Sequence, residues 1–169
     1  VSNASMYDGT TASAEAMLMS IANAKKANRY LVSETVDKKI LDVILTYAHF
    51  HGVTVDIVPA KDGVTDSNAM AQMLEQGGVA GVMVQQPNRF GIVEDYTGFA
   101  DTIHQHKALL AINSVAFDLA LLKTPGEWGA DIAVGDGQSL GIPMSFGGPY
   151  VGYMCTTEKL VRKMPGRVV

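Results

Sequence analysis

The sequence predicts a three-layer α/β/α sandwich around a mostly parallel sheet, and three observations carry that expectation. Short apolar runs alternate with amphipathic stretches at a spacing of roughly 25 residues, as in successive right-handed βαβ units. Most of the runs are continuously apolar, as in strands covered by helices on both faces. The last run follows its predecessor through a glycine-rich loop without a helix, too little chain for a parallel crossover, so it is expected to run antiparallel.

Taken in order, residues 11–26 (TASAEAMLMSIANAKK) predict a helix with Ala14, Met17, Leu18, Ile21 and Ala22 on one face. A strand is expected over 29–33 (RYLVS), then a helix over 37–49 with Ile40, Val43, Ile44 and Tyr47 at helical spacing. Strands over 53–59 (VTVDIVP), 79–84 (VAGVMV) and 109–115 (LLAINSV) alternate with shorter helices over 68–76 and 98–105. The last two strands are 132–134 and 150–156 (YVGYMCT).

At 169 residues the chain suits one domain over 1–169, with 47% hydrophobic and 18% charged residues, an ordinary balance for a soluble α/β protein. A formal net charge of -4 leaves no basic footprint for nucleic acid, and the only weak basic cluster spans 159–167. No apolar run approaches the ~20 residues that span a bilayer, and no signal peptide leads the chain. The single cysteine, Cys155, rules out an internal disulfide and suits a reducing cytosol, so a cytoplasmic location is expected. The chain opens on Val1 and stops at Val169 without an obvious terminal element, which suggests a piece of a longer polypeptide.

Several residues could carry chemistry. Gly9, Thr10 and Thr11, at a helix start, could offer N–H groups and hydroxyls to an anion; a plain N-cap by Asp8 or Thr10 explains them as well. The stretch DIAVGDGQSLGIPMSFGGPYVG (131–152) is crowded with glycine, yet Pro143 and a following strand exclude a dinucleotide fingerprint, which must open a helix. The pairs His49/His51 and His104/His106 fall at helix ends, where imidazole can meet the last carbonyls, and no further ligands mark a metal site. Cys155, in an apolar strand, reads as a buried inert thiol, and the nine methionines read as packing. Residues 85–96 (QQPNRFGIVEDY) follow a strand where open α/β sheets place ligands, so Asn88, Arg89, Glu94 and Asp95 could line a site or a solvated loop.

NASMYDGTTASAEAM, VQQPNRFGIVEDY, TPGEWGADIAVGDGQSLGIPMSFGGPYVGYM and KMPGR together resemble the glycine dehydrogenase (decarboxylating) family, the P-protein of the glycine cleavage system, and in particular its subunit 1. The resemblance implies an aspartate-aminotransferase-like fold of the type I pyridoxal-phosphate class. It also implies that 1–169 is part of the large domain, without the N-terminal part and the small C-terminal domain. In the family, pyridoxal phosphate on a lysine supports glycine decarboxylation, and the aminomethyl group passes to the lipoyl arm of the H-protein.

The resemblance further implies that the catalytic-type chain, subunit 2, carries an H-K-T-F-x-x-P-H-G-G-G-G-P loop. Aligned on Pro143 and Pro149, the lysine position falls on Gln138, whose amide cannot form a Schiff base. The family's pyridine-nitrogen aspartate falls close to Ile112 or Asn113, neither of them anionic. The expectation is thus a subunit without its own cofactor, with a vestigial phosphate-type turn at Gly9, Thr10 and Thr11. It would work in a heterodimer with subunit 2, which holds the pyridoxal phosphate. Ser5, Tyr7, Asp8, Asn88, Arg89, Gln138 and Ser139 are the candidates for the shared interface or cavity. Two other expectations stand beside it: a self-sufficient enzyme of the same fold with its catalytic lysine elsewhere, for example Lys61 or Lys123, and a small-molecule-binding regulatory module.

Overall fold

Helix α1 (Gly9–Asn23) starts at a carboxylate. Asp8 is extended and its Oδ1 accepts from Thr11 N at 2.7 Å, so the helix begins two residues earlier than its apolar periodicity suggests. Its buried side is built from Ala12, Ala14, Ala16 and Met17, small enough to bring the helix close to the sheet. The buried Ser13 and Ser20 hydroxyls donate to carbonyls one turn back, Gly9 O and Ala16 O, each at 2.8 Å. The computed structural model describes residues 1–3 and 5–166; Ala4 in the opening segment and Arg167 in the basic cluster lie outside the described residues.

The strands are β1 (Arg29–Ser33), β2 (Thr54–Val58), β3 (Ala60–Lys61), β4 (Val64–Thr65), β5 (Val79–Gln86), β6 (Leu109–Ser114), β7 (Ile132–Asp136) and β8 (Gly152–Thr156). Six of them form one sheet in the order β2-β1-β5-β6-β7-β8. All neighbours are parallel except β7 and β8, which pair antiparallel from Ile132↔Thr156 to Asp136↔Gly152. The antiparallel last strand is as expected.

Helices α2 (Lys38–His51), α3 (Ser67–Glu75) and α4 (Phe99–Gln105) complete the layers. Side chains alternate along each strand, so the sheet feeds two cores. Tyr30, Val32, Ala111 and Val134 pack with Met17 and Ile44 on the α1/α2 side. Leu31, Val82, Leu110 and Ile112 pack with Leu74 and Ile103 on the α3/α4 side. Among the described residues, no helix is long and apolar enough to cross a membrane.

The β3–β4 hairpin and the short 3-10 helices Ala116–Ala120, Gln138–Leu140 and Glu158–Lys163 were not expected. Each is too short to show a hydrophobic period. The opening segment also pairs with the free edge of β8: Asn3 N donates to Met154 O (3.0 Å) and Met6 N to Gly152 O (2.8 Å). This blunts an edge that would otherwise expose backbone donors and acceptors.

Three expectations need correcting. Cys155 is half-buried, because β8 turns Gly152, Met154 and Thr156 inward and Tyr153 and Cys155 the other way. His104 turns to a carboxylate rather than to the last carbonyls of α4: Asp131 Oδ2 lies 2.7 Å from its Nε2 and also accepts from Leu110 N. Met144 is exposed, on a loop outside both cores.

The phenol of Tyr30 is fully buried and meets no hydrogen-bond partner among the described residues, and burial raises its pKa well above the ordinary value. The nearby Ser20 hydroxyl, whose own proton goes to Ala16 O, opposes that rise without cancelling it. Tyr30→Phe is therefore expected to raise stability by about 1 kcal/mol, a gain of roughly 2–4 °C in thermal unfolding. An unchanged or lower unfolding temperature would show that the hydroxyl is satisfied.

Candidate functional site

All the parallel strands point their carboxyl ends the same way, and a cavity of about 510 Å³ opens there. Asp8, Gly9 and Thr10 reach it from the start of α1, Asp37 and Lys39 from the start of α2. Gln85, Asn113 and Asp136 reach it from the ends of β5, β6 and β7.

Glycines make the approach possible. A Cβ on Gly135 would stand 1.6 Å from Ser114 O, and one on Gly152 would stand 2.3 Å from Asp8 O. Gly141 and Gly147 instead have positive φ, +135° and +104°. The glycine-rich stretch thus serves close backbone packing at its two ends and turn geometry in its middle.

The phosphate-type turn holds an anion of its own. Asp8 Oδ1 accepts from Thr10 Oγ1 (2.6 Å), Thr11 N (2.7 Å) and Thr11 Oγ1 (3.0 Å). Asp136 Oδ2 lies 3.4 Å from Gly9 N. Burial pushes the Asp8 carboxyl up, but the hydrogen bonds from Thr10 and Thr11 outweigh it and hold it below the ordinary carboxylate value.

A carboxyl with a lowered folded pKa adds stability that is complete above its unfolded value and is lost as pH falls through its folded value. Asp8→Ala should therefore cost about 0.5–2 kcal/mol at neutral pH. The difference from the parent should shrink below about pH 4. Denaturant midpoints of both proteins at pH 7 and pH 3 check it; a gap independent of pH would refute the charged cap.

The chain brings together only part of what its sequence suggested. Asp8, Gly9 and Thr10 meet Asn113 at the cavity, with Asn113 Nδ2 donating to Ser13 Oγ at 2.9 Å. Between the two positions left open, Asn113 lines the cavity while Ile112 is buried in the opposite core. Gln138 does not line it: its Nε2 donates to Pro149 O at 3.2 Å, and Ser139 is exposed. Ser5 and Tyr7 border a different hollow of about 450 Å³ with Glu15 and Tyr47.

Asn88, a candidate for the shared interface or cavity, is a buried loop clasp. It is 4% exposed, and its Nδ2 donates to Gly63 O and Glu94 Oε1 (2.8 Å each) while its Oδ1 accepts from Phe90 N and Ile92 N. Glu94, also buried, accepts from Thr65 N, whereas the exposed Asp95 holds Thr97. Arg89 keeps partial exposure, 4.7 Å over the Phe90 ring and 3.8 Å from Glu34. Neither Lys61 nor Lys123 lines the cavity; Lys123 lies 3.7 Å from the Trp128 ring centre.

Asp37, Lys39, Gln85 and Asp136 were missed. They lie on three separate segments, and nothing local in the sequence signals that strand order brings them together. Asp37 caps α2 through Lys39 N, and its own N–H donates to Gln85 Oε1 at 2.7 Å. Among the described residues no three His, Cys, Asp or Glu groups gather closely enough to hold a metal ion.

The family model described as glycine cleavage system P-protein matches residues 1–169. A protein of Moorella thermoacetica described as "Probable glycine dehydrogenase (decarboxylating) subunit 1" is 46% identical over the whole chain, which covers 38% of that protein. Its counterpart in Geotalea daltonii is 44% identical, with the same coverage. The chain therefore spans somewhat over a third of the length of these curated relatives.

Among solved structures, a glycine decarboxylase (P-protein) of the glycine cleavage system, in inhibitor-bound form, superposes with a TM-score of 0.91. It shares 41% identity and matches 99% of this chain and 37% of its own. The ureidoglycine-glyoxylate aminotransferase of Bacillus subtilis shares the fold alone, with a TM-score of 0.70 at 17% identity over 94% of this chain and 40% of its own.

Proposed function

The chain belongs to the glycine cleavage system P-protein family, and from that premise we propose that it is part of the subunit that does not carry pyridoxal phosphate. In this reading the complete subunit forms a heterodimer with the catalytic-type subunit 2 in the cytoplasm. Subunit 2 holds the cofactor, decarboxylates glycine and passes the aminomethyl group to the lipoyl arm of the H-protein. The described segment is the core of the large domain, and its loops at the cavity mouth help to shape the shared site.

The observation that carries this reading is the misfit between the cavity and pyridoxal phosphate. The cofactor needs a lysine, an anion at its pyridine nitrogen and free donors for its phosphate. Gln138 turns away to Pro149 O, and Asn113 is neutral where an anion is needed. Thr10 Oγ1, Thr11 N and Thr11 Oγ1 are taken by Asp8, and the cavity carries three aspartates, Asp8, Asp37 and Asp136, against Lys39. A phosphate at the turn would face the carboxylates of Asp8 and Asp136. For the alternative of a self-sufficient enzyme, neither Lys61 nor Lys123 lines the cavity, and the lysine that does is Lys39, at the start of α2.

The test is a spectroscopic titration of the full-length subunit with pyridoxal phosphate, beside a capture experiment with subunit 2. Capture of subunit 2 and no lysine-dependent visible band are expected. A saturating band lost on replacing a single lysine would overturn the proposal.

A further inference from the structure

A second hollow, of about 450 Å³, shares no lining residue with the cavity at the strand ends. It forms where two stretches meet that the proposed function leaves without a role, the opening segment and KMPGR. Met6 and Tyr7 reach it from the first, Thr11 and Glu15 from α1, Tyr47 from α2, and Gly166 from the second. Both stretches are held in place. Met6 and Tyr47 pack against the α1/α2 core, Met164 is buried in it, and Lys163 Nζ donates to Ala22 O at 2.6 Å.

The lining sets the class of ligand. Glu15 is its one charged side chain, and it takes part in none of the ion pairs formed among the described residues. Thr11 Oγ1 gives its proton to Asp8 Oδ1 at 3.0 Å, so towards the hollow it only accepts. Glu15 follows Thr11 by four residues, which puts both acceptors on one face of α1. The rings of Tyr7 and Tyr47 join them, and an aromatic face attracts a cation. Phosphates and carboxylates are disfavoured by the charge of Glu15. A divalent metal is disfavoured too, since no three His, Cys, Asp or Glu groups gather among the described residues. A guanidinium matches what is left: a positive charge, planar N–H donors and an affinity for aromatic faces.

We propose that this hollow binds a guanidinium group, lodged against Tyr7 and Tyr47 and donating to the Glu15 carboxylate and Thr11 Oγ1. The volume is that of a small-molecule pocket and takes the group together with the carbon chain that carries it. A small guanidino compound and an arginine side chain of subunit 2 present the same chemistry, and the capture arm below separates them. Binding of the isolated group does not need subunit 2, so its failure and the failure of the two-subunit reading are separate results.

The experiment is an NMR titration of the full-length subunit with methylguanidinium chloride at constant ionic strength. Urea, planar and neutral, is the comparison probe. Saturable shifts at residues 5–7, 11, 15 and 47 are expected for methylguanidinium, with urea at least about tenfold weaker. The isosteric Glu15→Gln should weaken methylguanidinium binding by about tenfold or more with the unfolding temperature retained. Tyr7 is 88% exposed, so Tyr7→Ala leaves the core intact and should weaken binding about threefold. Capture of subunit 2 by the Glu15→Gln subunit then reads the source: weakened capture assigns an arginine of subunit 2, unchanged capture a small compound, and both agree with the proposal. Non-saturating shifts, urea binding as tightly as methylguanidinium, or unchanged affinity in Glu15→Gln would each overturn it.

Discussion

Gly135→Ala is expected to cost about 4 kcal/mol or more, enough to leave little folded protein. The added Cβ would meet Ser114 O at 1.6 Å and Ser114 C at 2.8 Å, well inside the contact distance of about 3.5 Å. Both atoms are backbone, so no rotamer change can relieve the clash. Relief would require parting β7 from the end of β6, where Asn113 pairs with Val134. It would also disturb the Tyr153 hydroxyl, which sits 2.9 Å from both Ser114 O and Ser114 Oγ.

Gly126→Ala is the matched control, since its Cβ would meet no atom of the described residues within 4 Å and its φ is not positive. It should change stability by no more than about 0.5 kcal/mol. Denaturant titration of the two variants checks the pair. A Gly135→Ala protein as stable as the Gly126→Ala protein would mean that the strands are spaced differently from this description.

The second large effect is on activity. Under the proposed two-subunit function, leaving out the subunit that contains this chain should lower glycine decarboxylation by subunit 2 on the order of 10²-fold. The physical reason is positional: a reacting group displaced by about 1 Å loses that much rate even when every catalytic side chain is present. Steady-state rates of subunit 2 alone, and with increasing amounts of the full-length subunit, measure it. A rise that saturates near equimolar mixing is expected; full activity of subunit 2 alone would count against the proposal.

Much of the fold was legible because its signals are local and repeated. Continuous apolar runs such as the LLAI that opens β6 give buried parallel strands whichever neighbours they find, because both faces are covered. The antiparallel β8 was legible from chain length alone. What escaped was short or depended on partners: the β3–β4 hairpin, the 3-10 turns, and the pairing of the opening segment with β8. Asn88 was misjudged for a related reason. A polar residue in a loop after a strand looks solvent-facing, and only the approach of Gly63 and Glu94 makes it an interior clasp.

The sequence by itself determined the layers, the strand direction, the family and the absence of a lysine at position 138, since each follows from local composition or from residue identity. Tertiary structure alone decided which groups share the cavity. Asp8, Lys39, Asn113 and Asp136 are far apart in the chain and meet because parallel strands deliver their carboxyl ends to one side of the sheet. It also decided what the glycine-rich stretch is for. Gly135 and Gly152 let β7, β8 and the start of α1 approach closely. Gln138, at the tip between them, bonds back to Pro149 and leaves the cavity to the aspartates.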